Sequence, residues 1–545
     1  MTEKRLIVMS VFFIRFAFLL EVRITALVCG DYWEKAEKQT TRAVDVSMGR
    51  ADIVDCNLRK MTGTESSVKA LITSETDLQN VFESIREEDR EKFYKRIKSE
   101  AALMVDMERP SDYETIYTIS KRYSSMNMAQ HLIGYVNMEN DGIAGIEKAY
   151  NDKLKDNGEK IKVSFRIDGA GNIFGDIKNT VEGTGKVLSL TIDNSMQRLC
   201  EETANKNIEN GSIVVLETKT GKIKAMASTP LYDANKVVDF LNSDNSPMLN
   251  KAIQCYEPGS VIKPLWAATL LENGYNKNEI YDCKGYTIVD GHIFHCANNR
   301  VHGEMDMKKA LEVSCNCYFI DTFIKNKGHD FCQMANQVNF GHELKLCDNF
   351  YTKRGDFPSI REIENTGIQA STCFGQGNFR VSPVHVAAYM NMIANDGIYV
   401  YPQVVEGIFN TETEECIEKI YKYDAKRIIS ETTAKEVKEM LVNVVNEGAK
   451  GRACPEYLTA AGKTGTAQTG KRKDDGEEIF VSWFCGFYPA DNPKYTICIT
   501  MYDGGESSVS AAPLFKEICH RIFFKDFSDT PPEKLYKLTK NENNS

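Results

Sequence analysis

The chain opens on a nearly unbroken apolar run, LIVMSVFFIRFAFLLEVRITALV, from Leu6 to Val28. A helix rising about 1.5 Å per residue makes this run long enough to cross a hydrocarbon core of about 30 Å. Lys4 and Arg5 precede it, so the positive-inside rule predicts a cytoplasmic stub at 1–5, a transmembrane anchor at 6–28 and everything later outside the membrane. Arg15 falls mid-span, where insertion costs about 2.5–3.5 kcal/mol, which asks for a helical partner in the membrane. Glu21 and Arg23 lie near the far end, within reach of the interface. A cleaved leader fits less well: no small-residue cleavage site stands out, and Val28 is too large just before Cys29 for a lipoprotein box.

Residues 30–185 mix charged and apolar positions, with a helical pattern in LQNVFESIREEDREKFYKRIKSEAALM. The pattern then changes. SIVVLETKTGKIKAMAS holds two alternating runs joined by Lys219-Thr220-Gly221-Lys222, a hairpin signal. Far downstream, FVSWFCGFYP and YTICITMYD read as two more strands, separated by Ala490-Asp491-Asn492-Pro493. Helical patterns such as TTAKEVKEMLVNVV lie between. Strands at both ends with helices between predict one α+β domain over 186–526, its sheet closed by sequence-distant strands. The polar stretch 527–545 predicts a disordered tail.

Composition narrows the function. A chain of 545 residues with 42% hydrophobic and 26% charged positions is globular and holds two or three domains. The 67 Lys and Arg against 77 Asp and Glu leave a net charge of −10, without a long basic run, which argues against nucleic acid as the main partner. None of the 16 cysteines forms a CxxC pair, so no metal site is expected. Most read as small buried hydrophobes in a host living without oxygen.

Three short motifs fall inside the α+β domain. In YEPGSVIK, Pro258-Gly259 breaks the chain and Ser260 stands at the start of an apolar helical run. Lys263 is three residues on, over the same face. A serine hydroxyl is a weak nucleophile until a base takes its proton, and a desolvated lysine of lowered pKa is such a base. Pro264 is tolerated in the first turn, where its missing N–H has no helical partner. The second motif is Ser314-Cys315-Asn316, and the third is Lys463-Thr464-Gly465-Thr466. Each alone reads equally as a helix start, a helix cap or a strand-edge turn. Their order, 54 and 149 residues apart, is far more specific.

With these motifs the chain resembles the class B penicillin-binding proteins, the monofunctional peptidoglycan D,D-transpeptidases of division or sporulation type. LTIDNSMQ, TGKIKAMASTP, NKAIQCYEPGSVIKP, FGQGNFRVSPVHVAAYMNMIANDG and WFCGFYPADNPKY look like family segments, and His131–Tyr150 is similar to the pedestal region. Arg50–Asn57 resembles a family element after the anchor, with Ala51 and Cys56 departing from its usual Gly and Arg. The resemblance implies an elongated pedestal over 30–185. It also implies a penicillin-binding, serine β-lactamase-like domain with an antiparallel sheet flanked by helices. Ser260 would attack the penultimate D-Ala carbonyl, with Lys263 as base. Ser314 would relay a proton to the leaving amine, and Asn316 would hold Lys263 and the substrate backbone. Lys463 would supply positive charge, and the Thr464 and Thr466 hydroxyls would bind the substrate carboxylate beside Gly465. The Ser260 and Thr466 N–H groups would form the oxyanion hole. The resemblance implies no cofactor, and β-lactams as covalent ligands. As partners it implies stem peptides and a polytopic glycan polymerase of the shape, elongation, division or sporulation group.

Three other functions use related groups. A class A β-lactamase is too short to match, a D,D-carboxypeptidase would use water as acceptor, and a non-catalytic scaffold or β-lactam sensor would show a damaged motif. Gly375 and Gly377 read as turn glycines, and His131, His302 and His385 as structural histidines. Cys283 and Cys296 flank a short hairpin near the site, where they are either a disulfide or two free thiols, and Cys315 is expected to point away from the site.

Overall fold

The computed structural model describes residues 3–528 except 31, 74–75, 98–101, 109–115, 125–127, 170–171, 244, 327, 449–450, 458 and 475. The predicted tail beyond 528 and the first two residues lie outside this set. The chain divides into two units, Met1–Ala51 with Gly63–Arg122 and Lys155–Gly185, and Asp52–Thr62 with Tyr123–Leu154 and Lys186–Ser545.

The first unit begins with a 27-residue helix, Glu3–Cys29, whose large apolar side chains are exposed along its length. Among the described residues, however, no helix is long and apolar enough to cross a membrane. The predicted span at 6–28 does not meet that measure. Every 18-residue stretch of the helix carries at least three charged side chains, with Arg15, Glu21 and Arg23 the recurrent ones. Beyond it, two three-stranded antiparallel sheets form from 41–48, 160–167 and 173–182, and from 65–73, 102–107 and 116–121. Strand Glu65–Thr73 feeds two cores, because successive side chains point to opposite faces. Ala70 and Ile72 pack with Val81, Ile85, Phe93 and Leu103, while Leu71 packs with Val46, Val163 and Phe165. The helical run expected from Leu78 breaks into Leu78–Ser84 and Glu87–Ile97. Ile85 turns extended at the break and buries its side chain in the first of these cores.

The second unit is built on a five-stranded antiparallel sheet of β1 (Gly211–Glu217), β2 (Ile223–Thr229), β3 (Ala461–Arg472), β4 (Glu478–Tyr488) and β5 (Tyr495–Tyr502), in the order β2-β1-β5-β4-β3. The pairing Ile213↔Ile499 closes the sheet between strands almost the whole domain apart. The hairpin β1–β2 turns at Gly221, whose φ of +70° and close approach to Val400 leave no room for a Cβ. Both faces of β1 are buried. Ile213 and Val215 meet the helices α1 (Asn194–Asn207) and α6 (Ala511–Ser528), which share their apolar stripe with Phe484, Ile497, Phe515 and Ile518.

Four further helices are α2 (Lys263–Glu272), α3 (Asn316–Lys325), α4 (Pro383–Ala394), which packs against β1, β4 and β5, and α5 (Glu431–Asn443), which packs against β3. Every residue of α4 is buried, as expected of a helix that is apolar all round. His385, at its start, hydrogen-bonds Ser382 Oγ (2.8 Å) and the His342 carbonyl (3.1 Å), and burial lowers its pKa to about 4. His131 contacts the Pro247 carbonyl at 2.7 Å and is depressed likewise to about 4. Both are structural histidines.

Residues 52–62 and 123–154, which fall inside the 30–185 stretch, pack into this second unit. Ile53–Val54 adds a parallel edge to strand Lys186–Leu190. The fully buried Asp55 accepts hydrogen bonds from the N–H groups of Asn57, Arg59 and Asn194, tying this loop to the start of α1. Cys56 Sγ accepts a hydrogen bond from the Lys224 ammonium at 3.2 Å.

Candidate active site

The site forms where a tight turn, a helix start and an edge strand meet. Gly259–Ile262 is a 3-10 turn, and α2 starts only at Lys263, with the Lys263 N–H bonded to the Ser260 carbonyl. The helix start expected at Ser260 is therefore wound one step tighter. Gly259 has φ +58°, and its N–H donates to the Gly375 carbonyl at 2.9 Å. A Cβ on Gly375 would meet Gly259 O at 2.2 Å, so Gly375 is a packing glycine. Strand β3 lies at the sheet edge and passes against this turn. A Cβ on Gly465 would meet Pro258 O at 2.7 Å and Val261 N at 2.8 Å. Only glycine lets the strand approach this closely.

Lys263 is fully buried, and its Nζ donates to the Ser314 carbonyl (2.8 Å), Asn316 Oδ1 (2.7 Å) and Ser314 Oγ (3.3 Å). Lys463 reaches the same Ser314 Oγ from β3 at 3.1 Å and also donates to the Thr464 carbonyl at 3.1 Å. Among the described residues neither lysine has a carboxylate within ion-pair distance. Burial lowers the Lys263 pKa to about 8. Lys463 is held well below its usual value, by burial first and by the Lys263 charge second. Ser314 thus sits between two buried lysine side chains that have no carboxylate partner among the described residues. Its φ of +54° is left-handed for a non-glycine residue, at a cost of about 1–2 kcal/mol. The Ser260 hydroxyl makes no hydrogen bond among the described residues, which leaves it free for an incoming carbonyl.

Asn316 opens α3, with its amide also donating to the His295 carbonyl at 3.1 Å. Thr466 is exposed on β3 and shares a 2.8 Å hydrogen bond with Ser507 Oγ, whose own N–H also points to Thr466 Oγ1. Thr464 is half-buried beside Lys463. All eight residues singled out in the three motifs therefore line one region. Supporting residues that no motif marked complete it. Ser507 braces Thr466, Tyr389 OH bonds the Val261 carbonyl, and Trp483 Nε1 bonds the Glu257 carbonyl at 2.9 Å. Their partners lie 41 to 226 residues away in sequence, so no local pattern could flag them.

Of the two alternatives for Cys283 and Cys296, the structure has the free thiols. Cys283 and Cys296 face each other, but their sulfurs stand 3.7 Å apart, against about 2.05 Å in a disulfide, and both are free. The reason is company: Cys296 Sγ also lies 3.7 Å from Cys315 Sγ, and Cys283 Sγ 3.6 Å from His302 Nδ1. His302 is thus not a solitary structural histidine. Cys315 turns from the Ser260 side into this cluster. The chain lacks paired CxxC motifs, yet folding brings sequence-separated sulfurs and an imidazole together. One potential ligand atom from each of Cys283, Cys296, His302 and Cys315 lies within 4.8 Å of all the others.

Residues 211–520, more than half the chain, match the family of the penicillin binding protein transpeptidase domain. Stage V sporulation protein D of Bacillus subtilis (strain 168) is 26% identical over 586 residues, spanning 99% of this chain and 87% of its own length. The probable peptidoglycan D,D-transpeptidase PenA of Neisseria meningitidis (serogroup A, strain Z2491) is 26% identical over 419 residues, spanning 73% of this chain and 68% of its own. A solved structure on the structural coordination of polymerization and crosslinking by a peptidoglycan synthase complex superposes with a TM-score of 0.68 at 21% identity. It covers 94% of this chain and 97% of that one, a likeness of fold. The matched stretch contains the Ser260 turn, the start of α3 and strand β3, and the chain belongs to the penicillin-binding protein transpeptidase family.

Proposed function

We propose that the chain is a peptidoglycan D,D-transpeptidase working through an acyl-serine, and that penicillins acylate the same serine. The observation that carries this reading is the pair of buried lysines converging on one serine hydroxyl beside an unengaged Ser260. With a pKa of about 8, roughly a tenth of Lys263 is neutral at pH 7 and ready to accept a proton. Ser260 Oγ adds to the penultimate D-Ala carbonyl carbon and passes its proton to Lys263 Nζ. The oxyanion forms against the Ser260 and Thr466 N–H groups, where the loss of one donor typically costs about 10²–10³ in rate. The C–N bond then breaks, and the leaving D-Ala amine receives a proton relayed through Ser314, which both lysines touch. The substrate carboxylate supplies the negative charge that the two lysines lack, held by the Thr464 and Thr466 hydroxyls. An amine from a second stem peptide attacks the ester, its proton returns through Lys263, and Ser260 is freed with the cross-link made.

The exposed apolar helix Glu3–Cys29, with Lys4 and Arg5 in its first turn, supports attachment at the cytoplasmic membrane with the catalytic unit outside. Its charges, Arg15 above all, make this attachment depend on a membrane partner. The likeness to a chain of a peptidoglycan synthase complex supports a polytopic glycan polymerase in that role. The test is a gel with fluorescent penicillin on the full chain and its Ser260→Ala variant, paired with analysis of cross-linked stem-peptide dimers. Label and dimers from the native chain, both absent from the variant, are expected. A folded native chain that takes no label refutes the reading. Label with hydrolysed but never cross-linked peptide would make it a carboxypeptidase instead.

A further inference from the structure

We propose that Cys283, Cys296, His302 and Cys315 form a closed tetrahedral site for a zinc-class divalent ion, and that this ion braces the Ser314–Asn316 turn of the catalytic machinery.

Geometry is the first argument. A tetrahedral ion with metal–sulfur bonds of about 2.3 Å and metal–nitrogen bonds of about 2.0–2.1 Å sets its ligands about 3.8 Å apart for two sulfurs and about 3.6 Å for sulfur and nitrogen. The observed edges are 3.7 Å for Cys283–Cys296, 3.7 Å for Cys296–Cys315 and 3.6 Å for Cys283–His302 Nδ1. All four ligand atoms fall within one 4.8 Å cluster. The second argument is the surroundings. The Gly285 N–H points at Cys283 Sγ (3.3 Å) and the Tyr318 N–H at Cys315 Sγ (3.4 Å), the kind of backbone donors that steady metal thiolates. Cys317 Sγ, which accepts from Cys296 Sγ at 3.4 Å, lies beside the cluster and outside the four. The three ligand cysteines are buried. Three sulfurs and one imidazole favour a soft-tolerant ion such as zinc over magnesium or calcium.

Four protein ligands leave no open position, so the ion is structural rather than catalytic. Binding displaces three thiol protons to solvent and leaves His302 neutral, giving a site of net charge −1. The ligands come from strand Tyr281–Cys283, from the residue after strand His292–His295, from just before strand Gly303–Met305, and from the catalytic motif itself. Cys315 lies between Ser314, held at φ +54°, and Asn316, whose amide bonds the His295 carbonyl next to Cys296. A metal there clamps the turn that presents Ser314 Oγ and Asn316 Oδ1 to Lys263.

The test is metal content of the full chain purified with a thiol reductant and without added chelator. About one zinc per chain is expected, falling below a tenth in Cys283→Ser and His302→Ala and unchanged in Cys200→Ser, a buried cysteine elsewhere in the same unit. Cobalt exchanged into the native chain, which needs no variant to fold, should show the intense bands of tetrahedral cobalt thiolate. Zinc content unmoved by both ligand variants overturns the proposal, as do octahedral cobalt spectra, or a metal-free chain with a Cys283–Cys296 disulfide. Stripping the ion should slow penicillin acylation at least tenfold, reversed by zinc; an unchanged rate overturns the bracing role. Only this last arm rests on the proposed function, and Ser260→Ala, which abolishes acylation, should still bind one zinc.

Discussion

Replacing Gly465 by alanine tests the close approach of strand β3 to the Ser260 turn. The new Cβ would sit 2.7 Å from Pro258 O and 2.8 Å from Val261 N, both backbone atoms that no rotamer change can move. Ordinary contact for a Cβ begins at 3.4 Å, so strand and turn must separate by about 0.7 Å. Because β3 is an edge strand paired only with β4, it can yield. The folding cost is therefore that of modest overpacking, about 1–3 kcal/mol, worth about 2–4 °C of Tm per kcal/mol. Catalysis is less forgiving. The displacement moves Lys463 and the Thr466 N–H away from Ser260, and misplacement on the 1 Å scale costs about 10²-fold. The expected result is a folded G465A chain whose penicillin acylation rate, followed by fluorescent label over time, drops about 10- to 100-fold. Acylation within twofold of the native rate in a folded variant would refute the reasoning.

Other perturbations have signs fixed by the same geometry. The acylation rate should rise about tenfold from pH 7 to pH 9, as Lys263, lowered to about 8 by burial, loses its proton; a flat profile would remove it as the base. Ser507→Ala should slow acylation about 2- to 10-fold with little change in Tm, because it removes one hydrogen-bond partner of Thr466; no effect on rate would deny Ser507 that bracing role. Burial raises the Glu201 carboxyl to about 7, against 4.5 when unfolded, so the folded state binds the extra proton between these values and stability falls as pH rises through them. Glu201→Gln should flatten that fall, a difference of about 1–2 kcal/mol after allowing for partial exposure, measured by urea unfolding at pH 5 and pH 8; parallel curves for both chains would contradict it.

The three motifs of the candidate site were legible because each holds fixed residue types a few positions apart, and those spacings survive in any sequence reading. The strands around Val214, Phe484 and Ile499 were legible for a related reason, since apolar runs ended by turn residues report burial directly. What the sequence hid came from pairings at long range. Ser507 has no motif of its own and matters only because β3 passes beside it. The four metal-ligand candidates are spaced 13, 6 and 13 residues apart, unlike CxxC pairs, and meet only when the hairpin folds back on the start of α3. The break at Ile85 was hidden too, because a helical pattern continues on both sides of it while tertiary burial selects an extended residue.

The sheet order β2-β1-β5-β4-β3 has a consequence for how the chain comes to life. Synthesis makes β1 and β2 early, but the neighbour that joins them to the rest, β5, ends at Tyr502. The Ser260 turn is thus produced some two hundred residues before the lysine strand that completes it, and that strand is tethered only once β5 has been inserted between β4 and β1. A nascent or truncated chain lacking β5 carries its nucleophile without its second lysine held in place. Closing a loop of this length costs more entropy than a short one and slows the pairing. The meeting of the Ser260 turn with a fixed Lys463 thus waits until the chain has been made through Tyr502, an order of events written into strand order alone.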